Sequence, residues 1–64
     1  MDENFYRARR AKLVGEFMQM KKLRLYRSAA ARVRQIAKLD EEQLGEKPEK
    51  TMAVFGYSEL LRKI

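Results

Sequence analysis

Apolar residues between Glu3 and Leu44 recur at helical spacing, but the face they occupy changes partway along. At about 100° per residue, Tyr6, Leu13, Phe17 and Met20 fall on one side. Leu25, Tyr26, Ala29, Ala30, Val33, Ile36, Ala37 and Leu44 gather on a different side, roughly opposite. Two arrangements satisfy this shift. Either the helix breaks near Lys21-Lys22 and each half turns its face to a common core, or one long helix has partners on both sides. A thinner seam through Ala11, Val14, Met18, Leu25, Ala29 and Ile36 runs through both halves, and no proline or glycine marks a break near Lys21. The expectation is therefore one long helix over about 3–44, built from good helix formers, with Asp2 suited to cap its start.

Gly45 is placed to end that helix, and Pro48 follows shortly after. Asp40 and Gln43 have capping-box spacing, and Leu39 with Leu44 has staple spacing, so a fresh helix start at Asp40 competes with a polar last stretch of the same helix. The second reading is preferred, although three acids near a helix C-terminus oppose the macrodipole. Residues 45–50 read as a loop. Residues 51–57 fit either period, but a strand would have no neighbour, so a helix is expected over about 51–63. Gly56 is unexplained in that helix, and Ser58 is equally able to cap a last short one. The expected architecture is a single all-α domain: a helical hairpin or minimal three-helix bundle, with a long basic helix and a shorter one returning on it.

Length makes that architecture marginal. A chain of 64 residues buries little surface, and with no cysteine and no histidine it has neither disulfides nor the usual zinc ligands to support it. A homo-oligomer or a protein partner is the expected support. No apolar run approaches the length of a membrane span, and Arg7, Arg9 and Arg10 are not followed by the apolar stretch of a secretory signal. The expected compartment is the cytoplasm.

The charge is uneven. Residues 1–39 hold eleven basic side chains against Asp2, Glu3 and Glu16, a net +8. Residues 40–64 hold four against six acids, a net −2. The N-terminal part is therefore the one suited to a polyanion. Arg24, Arg27, Arg34 and Lys38, at spacings 3, 7 and 4, would form one stripe on a continuous helix. Arg7, Arg9, Arg10 and Lys12 form a second cluster. The planar arginine fork suits phosphate because it donates two parallel hydrogen bonds.

Catalytic chemistry has no foothold. No nucleophile motif, phosphate-binding glycine loop or EF-hand spacing occurs, and Asp40, Glu41, Glu42 and Glu46 read as a solvated acidic helix end. No cofactor and no metal is expected. A rival to nucleic-acid binding is a protein–protein adaptor or inhibitor that docks through Phe17, Met18, Met20 and Leu25, the apolar residues beside the change of face.

Leu25-Tyr26-Arg27 resembles the signature tripeptide of the mitochondrial LYR-motif proteins, small basic helical adaptors for iron–sulfur, respiratory-complex and acyl-carrier assembly. The resemblance implies a helical bundle, with those three residues as partner contacts and Phe55 in the place of the family's downstream phenylalanine. It covers three residues plus one, and the functional expectation does not rest on it. That expectation is a non-enzymatic protein that neutralises nucleic-acid phosphates, RNA or DNA, through the two basic clusters.

Overall fold

The structure is a computed structural model that describes residues 3–64. The described residues form α1 (Glu3–Lys22), α2 (Tyr26–Leu44), α3 (Pro48–Val54) and α4 (Tyr57–Arg62), with no strand among them. The fold is all-α, as expected. The Asp2 cap lies outside the described residues.

The long helix expected over 3–44 is two helices. The chain turns at Leu23-Arg24-Leu25, and Arg24 takes a left-handed backbone conformation with φ 62°. The Leu25 N–H donates to the Met20 carbonyl at 2.8 Å, and the Arg24 N–H to that of Lys21 at 3.0 Å. This crossed pair is a Schellman closure, usually built on glycine. Arginine there costs about 1–2 kcal/mol. The cost is offset by letting both apolar faces reach one core. Ala11, Met18 and Leu25, from the seam that argued for continuity, are exposed.

α1 and α2 run antiparallel. Leu13 packs with Ile36 and Leu39, and Phe17 with Ala29, Ala30 and Val33. Glu16 pairs with Arg32 at 2.9 Å across the same seam. On α1 the inward positions Tyr6, Arg10, Leu13, Phe17 and Met20 follow spacings of 4, 3, 4 and 3, the narrow seam of a two-helix contact. α2 has burial over a wider arc because every other helix packs on it.

The return segment is also two helices. Pro48 opens α3, where its missing N–H costs nothing. Phe55 and Gly56 then turn the chain, with Gly56 at φ 67°. That explains a glycine with no place in a continuous helix over 51–63. Gly45, also at φ 67°, closes α2. α2 continues through Asp40 to Leu44 without a fresh start, as preferred.

Phe55 joins the layers. It packs against both core clusters, meets the Phe17 ring edge-to-face at 5.3 Å between centroids, and lies under the Arg10 guanidinium at 5.6 Å. Leu60 of α4 completes the cluster around Phe17 and Val33. The whole measures 35 × 21 × 13 Å, a flat body that leaves α1 uncovered along most of its outer side.

Candidate nucleic-acid interface

Two of the eight expected phosphate contacts serve other purposes. Arg10 lies a third of the way along α1, and the antiparallel register brings it opposite Asp40. Its Nε donates to Asp40 Oδ1 at 3.0 Å and its Nη2 to Oδ2 at 3.2 Å. Tyr6 Oη donates to Oδ1 at 2.8 Å and Thr51 Oγ1 to Oδ2 at 3.2 Å. Four donors thus fill the four acceptor positions of one carboxylate. Asp40 is 4% exposed, so it is not the solvated helix-end acid expected from its neighbours. Burial alone would raise its pKa. The hydrogen bonds from Arg10 and Tyr6, the Arg10 charge and the Thr51 hydroxyl outweigh that and hold it below the ordinary value. Hydrogen bonding to Asp40 in turn raises Arg10, and burial followed by Asp40 raises Tyr6. Arg7 forms a surface pair with Glu3 at 2.8 Å.

The other six differ. Arg9, Lys12, Arg24, Arg27 and Lys38 are exposed and form no ion pair among the described residues. Arg34 donates to the Tyr57 hydroxyl at 2.9 Å, a neutral partner that orients the guanidinium and leaves its charge uncompensated. The expected four-residue stripe is shortened. Arg24 sits in the turn, off the helix, while Arg27, Arg34 and Lys38 share one flank of α2 over about 16 Å of axis.

The turn adds two cations that helical spacing did not single out. Lys21 and Lys22 end α1, are exposed and pair with no acid among the described residues. A plain structural reason exists for them, since cations favour a helix C-terminus. Yet Arg24 and Arg27 follow immediately, and the first turn of α2 has no side-chain cap and no acid. Lys63 adds its ammonium 5.2 Å from the Tyr26 ring centre. Uncapped helix N–H groups beside guanidinium groups make a setting for phosphate oxygens. The only signal for this end in the sequence is the string from Lys21 to Arg27, which reads as a face until the turn is known.

The residues expected to dock a protein partner are divided. Phe17 is 6% exposed and belongs to the core, which corrects its place at a docking surface. Met20 packs part-buried against the same cluster. Met18, at 62%, and Leu25, at 50%, are exposed. In the Leu25-Tyr26-Arg27 tripeptide, Leu25 precedes α2, Tyr26 packs against the core and Arg27 faces out.

Among the described residues no group of acids converges as a metal site would require, and no helix is long and apolar enough to cross a membrane. No family model, no curated protein and no solved structure matches the chain.

Proposed function

We propose that this chain is a small, non-enzymatic, nucleic-acid-associated protein of the cytoplasm that binds phosphates with the α1–α2 turn and the adjoining flank of α2. One observation carries the reading: the division between paired and unpaired cations. Arg7, Arg10, Arg32, Lys50 and Arg62 each have a carboxylate within 3.2 Å. Lys21, Lys22, Arg24, Arg27, Arg34 and Lys38 follow one another in the chain and have none. A surface kept basic for solubility alone intersperses the two signs. Here one end of the molecule is left with cations only.

The mechanism is neutralisation of backbone charge with release of counterions, not base readout. The exposed leucines of the turn, Leu23 and Leu25, have no hydrogen-bonding edge for a base. The test is titration of the protein with single-stranded RNA, duplex RNA and duplex DNA, with heparin as a competitor. Binding to one nucleic-acid form that outlasts equimolar heparin supports the reading and names the ligand. Equal binding to all three, abolished by heparin, reduces the basic end to a solvated surface.

A further inference from the structure

A second surface lies on α1, away from the flank of α2 assigned to phosphate, and the argument for it does not rest on that assignment. Val14, Phe17, Met18 and Phe55 line a shallow groove of about 580 Å³ that ends at Lys21 and Lys22. A second depression shares Val14 and Met18 with it and runs over Ala11 and Gly15 to Arg7 and Arg10. Together they form one apolar strip from Arg7 to Lys22, about 22 Å long. Its floor is apolar and both ends are cationic.

Three observations define the occupant. The first is charge: the cations at both ends suit a partner with acidic residues at both ends of its apolar face. The second is the same charge turned against self-association. An antiparallel copy of α1 would bring Arg7 and Arg10 against the copy's lysines at positions 21 and 22, and a parallel copy would set lysine against lysine. The third is Gly15. It lies mid-helix with no positive φ, and a Cβ there would meet nothing within 4 Å. Glycine in an exposed helix costs about 1 kcal/mol against alanine, and nothing inside this fold requires it. A helix laid along the strip would use the close approach it permits.

We infer that the Arg7–Lys22 strip of α1 receives an acidic amphipathic helix of a partner protein, about four turns long, with apolar residues at i, i+3, i+7 and i+10 against Val14, Met18 and Phe55. The strip makes the chain a bridge between a polyanion on one side and an acidic protein segment on the other.

The test uses a fluorescein-labelled peptide of about 15 residues, leucine at those four positions and glutamate around the rest, read by anisotropy against the full chain. A peptide of the same composition with its leucines scattered is the control for charge alone. The amphipathic peptide is expected to bind at least tenfold more tightly than the scattered one. Met18→Asp and Gly15→Arg should each weaken it at least tenfold while the circular dichroism and melting of the protein stay near the parent's. Arg27→Ala/Lys38→Ala should leave it unchanged. Absence of binding, equal affinity for the two peptides, or indifference to Met18→Asp overturns the inference. So does a dimer in sizing experiments that Met18→Asp dissociates, since the strip would then belong to a second copy.

Discussion

Arg10 of α1 and Asp40 of α2 meet through two parallel hydrogen bonds, 3.0 and 3.2 Å long, thirty residues apart in the chain. Tyr6 and Thr51 bind the same carboxylate, so one acid ties together α1, α2 and α3. Removing it leaves a guanidinium and two hydroxyls without their acceptor. A broken buried pair typically costs about 3–5 kcal/mol. The Arg10 side chain is 33% exposed and can turn toward water, which lowers the figure to about 2–3 kcal/mol. For a chain this small that is much of its stability. Chemical denaturation of Asp40→Ala should show that loss, and the double-mutant cycle with Arg10→Ala should leave a coupling above about 1 kcal/mol.

The same cluster sets a pH dependence with two arms. Asp40 titrates below its ordinary value of 3.8 in the folded protein. Its stabilising effect is complete above that value and is lost as pH falls through the lower folded pKa. Tyr6 titrates above its ordinary value of 10.0. Its effect is complete below that value and is lost as pH rises through the higher folded pKa. Melting temperature should therefore be level from about pH 5 to 9 and fall on both sides. Tyr6→Phe should flatten the alkaline fall, and Asp40→Asn should weaken the acid one.

Arg24→Gly separates backbone strain from charge. Glycine adopts φ 62° at no steric cost, so this substitution should stabilise the fold by about 0.5–1 kcal/mol. It also removes a cation from the proposed interface, so nucleic-acid affinity should drop as the melting temperature rises. Gly56→Ala should do the opposite to stability and cost about 1 kcal/mol through its φ of 67°, although a Cβ there has room. Thermal melts of the two variants should move in opposite directions.

The sequence pattern was informative where burial follows helical spacing. The two apolar faces, the loop after Gly45 and the closing role of Gly45 are all visible in it, and the residues named on those faces supply most of the core. The turn at Arg24 was not visible, because its signal was expected to be glycine or proline and the conformation is carried by an arginine. With the turn missed, the Arg24–Lys38 stripe was drawn too straight and Lys21 and Lys22 were left out of it. Asp40 and Arg10 were misread for a related reason. Charge alone places both at the surface, and only the antiparallel register shows that they face each other. Gly56 posed the opposite problem: its cost was seen, but not the short helix it begins.

Phe55 is the single aromatic that connects both core clusters, the Phe17 ring and the Arg10 guanidinium. Phe55→Ala should cost about 2–4 kcal/mol, less than a fully enclosed phenylalanine because one edge is open to the groove. Phe55→Leu should recover much of that loss. A melt that barely moves in Phe55→Ala would mean that α3 and α4 contribute little to holding the α1–α2 pair.

The account's central claim is that unpaired cations on the turn and on α2 bind phosphate, and the salt dependence of binding tests it most directly. Affinity for duplex DNA would be measured between about 50 and 200 mM salt for the parent and for Arg27→Ala/Lys38→Ala. Neither side chain has an ion-pair partner, so the double variant should melt like the parent. The plot of log K against log salt should lose about 2 from its slope, close to one per lost phosphate contact. An unchanged slope in a folded double variant, or parent binding that does not weaken with salt, would contradict the claim.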